Sequence, residues 1–176
     1  FEESLAARRR LVSLEPENLE FLRDLSATLN HVGSLLKSTD ASAAHRCFDE
    51  SLEAHRRLVS LEPENLQFRR DLSVSLNNVG NLLKSTDAAA ARRCFEESLE
   101  TARRLVLLEP ENLQFRDDLA LSCINVYGME SEPAAELALL REALAVLKPV
   151  VESGRRGAQT DAIWAYLAKQ IARFKD

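Results

Sequence analysis

Apolar residues in the middle of the chain recur every three or four positions, which is the spacing of one face of an α-helix. The first stripe of this kind consists of Phe68, Leu72, Leu76, Val79 and Leu83. Asn65 precedes it as a candidate N-cap, after Pro63 has ended the helix before it. A second stripe, opened by Asp87, consists of Ala91, Phe95, Leu99, Ala102 and Val106. The two stripes predict a pair of helices, 65–84 and 88–108.

The same pattern returns with a period of 47 residues. Phe1–Cys47 and Phe48–Cys94 are identical at 36 of 47 positions, and a third, diverged copy begins at Phe95. The motif Leu-Glu-Pro-Glu-Asn-Leu marks each copy, at 14–19, 61–66 and 108–113. A fixed period of this length indicates one helix pair stacked on copies of itself. The sequence therefore predicts an all-α fold, a solenoid of stacked antiparallel helix pairs.

Applied along the chain, the period predicts about eight helices in a single domain, residues 1–176. The first helix, 1–14, corresponds to the second helix of a cut-off repeat, so we interpret the chain as a fragment of a longer protein. The pairs that follow are 18–37 with 41–61 (repeat 18–61), 65–84 with 88–108 (repeat 65–108), and a diverged 112–129 with 133–151 (repeat 112–151).

The last part of the chain departs from the repeat. Pro133 suits the first turn of a helix, whereas Pro149 is expected to kink or end that helix. After a loop at 154–157, Thr160 and Asp161 are expected to cap a last helix, 160–175. Its apolar face carries Ile163, Trp164, Leu167, Ile171 and Phe174, and its outer face carries Lys169, Arg173 and Lys175. A polar outer face is typical of the capping helix of a solenoid.

The segment Val79-Gly80-Asn81-Leu82-Leu83, followed by Ala91, Phe95 and Pro110, resembles the tetratricopeptide repeat family. Members of that family form right-handed α-solenoids, in which a small residue lies where two helices cross while an Ala and an aromatic residue fill the crossing. The resemblance assigns these roles to Gly33 and Gly80, Ala44 and Ala91, and Phe48 and Phe95. The absence of a Cβ lets the two backbones approach closely.

The resemblance covers residues 1 to about 131 and is weaker beyond. The period is longer than the roughly 34 residues usual in the family. In the third copy Tyr127 occupies the place of the small residue, with Gly128 one position late, so packing there should be looser or shifted. Repeats this long and this alike also resemble the arrays of large bacterial signalling proteins.

The resemblance further implies a binding site. In tetratricopeptide arrays the first helices line a concave groove that holds an extended peptide, and the residue two before the crossing Gly points into it. That rule gives a ladder of His31, Asn78 and Asn125. The neighbouring polar residues Asn30, Asn77 and Asn81 belong to the same face, and Lys37 and Lys84 at its end would meet a carboxylate. An Asn amide suits a peptide group because it offers a donor and an acceptor.

The two best copies differ mainly on one face of each first helix. Positions 27, 31 and 34 change between the copies, whereas Phe21, Leu25, Leu29, Val32 and Leu36 do not. The variable face should meet solvent or a partner, and the constant face should form the core. The alternative to a binding ladder is a solvated polar face, in which Lys37 and Lys84 only complement the helix dipoles.

Composition excludes several classes of protein. The net charge is −5, and Arg and Glu alternate without a basic stripe, so no nucleic acid is expected as a partner. No apolar run approaches the roughly 20 residues that cross a bilayer, so no membrane association is expected. Equivalent positions such as Cys47 and Cys94 should lie too far apart for a disulfide, and Cys123 is on another helix. Reduced thiols and a cytoplasmic location follow.

Nothing in the sequence indicates catalysis, a metal or a cofactor. His31, His45 and His55 lack paired ligand spacing, and the last two lie on second helices, away from the groove. The predicted function is a non-enzymatic scaffold that binds a protein or peptide segment in the groove. Two alternatives stay open: self-assembly into a homo-oligomer through exposed terminal repeat faces, and regulation of an attached signalling enzyme.

Overall fold

The computed structural model describes residues 2–174 (Glu2 by its backbone only), and this part of the chain contains eight α-helices and no strand. The helices are α1 (Glu2–Leu14), α2 (Leu19–Leu36), α3 (Ala41–Leu61), α4 (Leu66–Leu83), α5 (Ala88–Leu108), α6 (Leu113–Tyr127), α7 (Pro133–Glu152) and α8 (Ala158–Ala172). The all-α prediction is confirmed, as is the pairing of consecutive helices in the manner of a helical-repeat array. Phe1 and Lys175, which were predicted within the terminal helices, lie outside the described residues.

The helices group into two compact units. The first unit, residues 1–91, contains α1 to α4 and the first residues of α5. The second unit, residues 92–176, contains the rest of α5 together with α6, α7 and α8.

The repeated Glu-Pro-Glu-Asn motif builds the same corner three times. The Asn side chain caps the helix that follows: Asn18 accepts from the backbone N–H groups of Glu20 and Phe21, at 3.1 and 3.2 Å. Its Nδ2 donates back to Glu15 Oε2 at 2.9 Å. Asn112 makes the same three bonds, and Asn65 makes two of them, from Phe68 N–H and to Glu62. The predicted cap at Asn65 is therefore confirmed, and each corner fixes the residue at which a first helix begins.

A second kind of cap opens the second helices. Asp40 accepts a hydrogen bond from the backbone N–H of Ala43, and Asp87 accepts one from Ala90, each at 2.9 Å. The prediction that Asp87 is an N-cap is confirmed. Pro133 lies in the first turn of α7, as expected. Backbone N–H groups in this turn have no partner within the helix, so the N–H that proline lacks costs no hydrogen bond.

The core of the first unit lies between α1, α2, α3 and α4. One cluster joins Leu5 of α1 to Leu25 and Leu29 of α2 and to Cys47 of α3. A second joins Leu22 of α2 to Ala54 and Leu58 of α3 and Phe68 of α4. The face predicted to be constant thus forms the core. Leu22 is an exception to the comparison of copies: it differs from its counterpart Arg69, yet it is only 2% exposed.

The expected close approach of α2 and α3 occurs at Gly33. A Cβ added there would lie 3.0 Å from Cε1 and 3.1 Å from Cδ1 of the Phe48 ring. Phe48 is 2% exposed and Ala44, one turn earlier on α3, is fully buried. The ring therefore has little room to move away, and position 33 requires a residue without a side chain.

One prediction about the last helices is wrong, and one of the two outcomes expected at Pro149 does not occur. Thr160 and Asp161 do not cap α8, which begins at Ala158 after the N-cap Gly157. Thr160 is already inside the helix, and its hydroxyl donates to both carboxylate oxygens of Asp117 on α6, at 3.0 and 3.1 Å, which is a charge-assisted bond if that carboxyl is ionised. Pro149 does not end α7, which runs on to Glu152. The helix stops instead at Gly154, whose φ of 71° favours glycine.

The third copy diverges at Tyr127, as the sequence indicates. Helix α6 has 15 residues, whereas α2 and α4 have 18 each, and Tyr127 is its last residue. The Tyr127 hydroxyl donates to Gln170 Oε1 of α8 at 3.3 Å. On the outer face of α8, Lys169 and Arg173 are exposed, as expected of a capping helix.

We expect Gly33→Val to destabilise the first unit by about 1–3 kcal/mol, because the added atoms overlap the Phe48 ring. Gly33→Ala should lose less, since the better helix propensity of Ala returns up to about 1 kcal/mol. Urea unfolding followed by circular dichroism measures both. Phe48→Leu should make the Val substitution less harmful, and a Gly33→Val variant as stable as the wild type would contradict the close approach.

Candidate functional site

Two of the predicted groove residues come together in the first unit. Asn78 Nδ2 on α4 donates to Asn30 Oδ1 on α2 at 3.4 Å, and Asn30 Nδ2 donates to Ser75 Oγ on α4, also at 3.4 Å. Both distances are longer than the usual 2.9–3.0 Å of an N–H···O bond, so both bonds are weak. The pair is half-buried. A ligand that supplies its own donor and acceptor can replace the bond between the two amides.

The other predicted residues are placed as follows. His31, Asn81, Lys37 and Lys84 are exposed, and the two lysines lie at the C-caps of α2 and α4. Asn77 on α4 and Asn125 on α6 are half-buried, and Asn125 belongs to the second unit. The structure therefore brings together Asn30 and Asn78, which are not equivalent positions of the repeat.

A cleft of about 780 Å³ lies between α2, α3 and α4, beside the two asparagines. One wall comes from the first half of α2, with Glu20, Asp24, Ala27 and Asn30. The other comes from the first half of α4, with Gln67, Phe68, Asp71 and Val74. Part of the variable face, positions 27 and 74, thus lines a cleft rather than open surface.

His55 of α3 also lines this cleft, so the prediction that it lies away from the groove is wrong. The residue is 4% exposed, and its Nδ1 is 2.8 Å from Ser75 Oγ. Ser51 Oγ lies 3.5 Å from the same nitrogen and donates to the backbone oxygen of Ser26. The equivalent positions in the other copies of the repeat are Arg8 and Ala102, and this difference is the one sequence signal that singles out His55.

The hydrogen bonds assign the tautomer of His55. Among the described residues, the hydrogen bonds of His55 all use Nδ1. Ser51 Oγ gives its one proton to Ser26, so it can only accept from Nδ1, and Ser75 Oγ has lone pairs for both Nδ1 and Asn30. Burial lowers the pKa of His55, which the negative charge of Asp71 and the hydrogen bond to the Ser51 backbone only partly offset. We therefore assign a neutral ring that carries its proton on Nδ1 and leaves the Nε2 lone pair to accept from a ligand.

The cleft is strongly acidic. Its lining contains four carboxylates, those of Glu20, Asp24, Glu62 and Asp71, and one guanidinium, that of Arg23. Glu62 accepts from Asn65 Nδ2 at 2.9 Å, and Asp71 accepts from Gln67 Nε2 at 2.7 Å. Within the described part of the chain, Glu20 and Asp24 form no ion pair.

None of the three cysteines forms a disulfide within the described residues. Cys47 and Cys123 are buried, and Cys94 is half-buried. Burial raises the pKa of Cys47, and it raises the pKa of Cys123 to about 12. Both buried thiols are therefore protonated at neutral pH and act as small apolar side chains.

The described residues form neither a metal site nor a membrane-spanning helix. Residues 2–174 contain no group of His, Cys, Asp and Glu side chains that could hold a metal ion. Over the same residues, every helix is too short or too polar to cross a membrane.

Comparison with known proteins found no relative of this chain. The chain matches no model of a known protein family, and a search of curated proteins gave no match. The resemblance to tetratricopeptide repeats thus depends on the residues and on the helix pairing described above.

We expect the stability of the first unit to fall as the pH drops below about 6.5, the ordinary pKa of His, because the unfolded state then takes up a proton that buried His55 resists. Above that pH neither the folded nor the unfolded state protonates His55, so the stability of the first unit is not reduced by it. His55→Gln should flatten this dependence between pH 7.5 and 5.5 in urea-unfolding measurements. His45→Gln, on the outer side of α3, is the control, and an unchanged pH dependence in His55→Gln would disprove the assignment.

Proposed function

We propose that this chain is a non-enzymatic interaction module of the tetratricopeptide type, which binds a protein or peptide segment along α2 and α4 of the first unit. The observation that carries the proposal is the cleft of about 780 Å³ that is lined by Asn30, whose amide oxygen accepts from Asn78. Its volume is within the roughly 300–1,000 Å³ of ordinary ligand sites. The free cysteines suit the reducing cytoplasm, which we propose as its location.

The dimensions of the helices suit an extended segment. Helix α2 has 18 residues and is therefore about 27 Å long. An extended peptide of about eight residues has the same length. Such a peptide would exchange hydrogen bonds with the Asn30 and Asn78 amides in place of their weak mutual bond. His31, Asn77, Asn81, Lys37 and Lys84 remain candidate contacts along the same two helices, and Asn125 remains one on α6.

We expect the variant Asn30→Ala with Asn78→Ala to bind such peptides about tenfold more weakly, because two hydrogen bonds of about 0.5–1.5 kcal/mol each are lost. The probe is a set of random 12-residue peptides displayed on phage, selected against the wild-type chain and then measured as synthetic peptides by calorimetry. The far-ultraviolet circular dichroism spectrum of the double variant should match that of the wild-type chain.

Gln159→Ala, an exposed polar residue on α8 in the second unit, is the control and should leave affinity unchanged. The proposal fails if no peptide is enriched above an unrelated helical protein. It also fails if the double variant binds the selected peptides as tightly as the wild type.

A second candidate function, self-assembly, is favoured by one face of α1. Leu11 is 41% exposed, whereas its repeat counterpart Leu58 is fully buried. Ala7 and Ser4 are likewise exposed, although their counterparts Ala54 and Ser51 are buried. Ser51 donates to the backbone of α2, whereas Ser4 bonds to Arg8 of its own helix. In α3 this face is covered by another helix, and a second copy of α1 would cover it in a symmetric dimer.

We expect this dimer, if it forms, to be lost in a variant with Leu11→Glu and Leu14→Glu, because charges would replace the apolar contact. Sedimentation velocity between about 1 and 200 μM measures the association. Leu35→Glu, which changes an equally exposed leucine on α2, should not alter it. A wild-type chain that is monomeric throughout this range would rule out self-assembly.

A further inference from the structure

We propose that the cleft between α2 and α4 selects a basic segment of its partner, with a Lys or Arg side chain held by the Glu20, Asp24 and Asp71 carboxylates while His55 Nε2 accepts a hydrogen bond from a backbone N–H beside it. This inference rests on the proposed function, because it names the chemistry of the segment that the same surface would bind.

The charge of the cleft is the first argument. Four carboxylates and one guanidinium line it, so its net charge is negative. Glu20 and Asp24 are one helical turn apart, and like charges at this spacing repel each other. Neither is neutralised by an ion pair within the described residues. A cation placed between the walls would remove this repulsion, whereas an acidic segment would increase it.

The shape of the lining indicates a side chain rather than a metal ion. Over residues 2–174 the carboxylates are nowhere grouped closely enough to hold a metal. The cleft also has apolar walls, formed by Ala27 and Val74 on opposite sides and by Phe68. A long basic side chain suits this combination, since its methylene stem packs on apolar atoms while its charged end reaches the carboxylates.

His55 supplies the second polar contact. Its ring is held by Ser75 through Nδ1, so its orientation is fixed before any ligand arrives. The neutral ring adds no positive charge that would repel a basic segment. Its Nε2 lone pair is a single acceptor, which matches the N–H that every peptide group except that of proline carries. The carboxylates would therefore choose the side chain, and His55 would hold the backbone next to it.

The test compares three 12-residue peptides with a common Gly-Ser-Ala background. Three positions carry Arg or Lys in the first peptide, Gln in the second and Glu in the third. Binding to the whole chain is measured by fluorescence anisotropy at 50 and 300 mM NaCl. We expect the basic peptide to bind most tightly and the acidic peptide least tightly, and the advantage of the basic peptide to shrink at the higher salt concentration.

The diagnostic variant is Glu20→Gln with Asp24→Asn, which removes two charges and keeps the size of both side chains. It should weaken the basic peptide about three- to tenfold at 50 mM NaCl and leave the Gln peptide unchanged. Glu152→Gln with Asp161→Asn makes the same change of net charge in the second unit and should have little effect. The ¹⁵N resonance of His55 Nε2 should shift when the basic peptide binds to the wild type.

The outcomes separate the two proposals. If both double variants weaken the basic peptide equally, attraction to the net negative charge explains its binding and the cleft does not select it. If the Gln peptide binds through Asn30 and Asn78 as tightly as the basic peptide, the proposed function stands and the inference about charge is wrong. If none of the three peptides binds, the proposed function fails together with it.

Discussion

The capped corner between repeats is the interaction on which the rest of the structure depends. Asn18, Asn65 and Asn112 each bind the first backbone N–H groups of the following helix and the Glu three residues before them. Because the first residue of each helix is fixed in this way, every later side chain has a set height and direction along it. Asn30 stands twelve residues after Asn18, at a height that places its amide opposite Ser75 and Asn78. The corner thus positions Asn30 and Asn78 although its own residues do not take part in the bond between them.

The sequence predicted most of the helices because their signals are local. Apolar spacing, the Asn and Asp caps, and Pro133 each act within a few residues, and the helices begin and end within about two residues of most predicted limits. What it could not predict depends on the partner helix. Thr160 was assigned to its own helix as a cap, yet its hydroxyl donates to Asp117, 43 residues away in sequence. Leu22 varies between copies and is still buried, because Ala54, Leu58 and Phe68 surround it.

The same limit applies to the candidate site. The ladder was derived from equivalent positions, which are separated by the period of 47 residues. The observed contact joins residues separated by 48, because neighbouring helices are offset and bring non-equivalent side chains together. His55 was missed for a related reason: its helix belongs to the second position of the repeat, and only three-dimensional packing shows that its ring lies between the two first helices. A period predicts which faces are alike, and packing decides which residues on them meet.

The polar side chains of the cleft differ from those that join helices elsewhere in the chain, and this difference bears on function. Outside the cleft, charged and polar groups bind one another: Arg9 holds Glu50 with two bonds, Arg103 holds Glu142 with two bonds of 2.7 and 2.6 Å, and Thr160 holds Asp117. Such bonds tie α7 to α5 and α8 to α6. In the first unit, Glu20 and Asp24 line a cleft without an ion pair in the described residues, and the two asparagines share only a weak bond. Unpaired charges and weak bonds add little to stability, and the ligand that we propose would complete them.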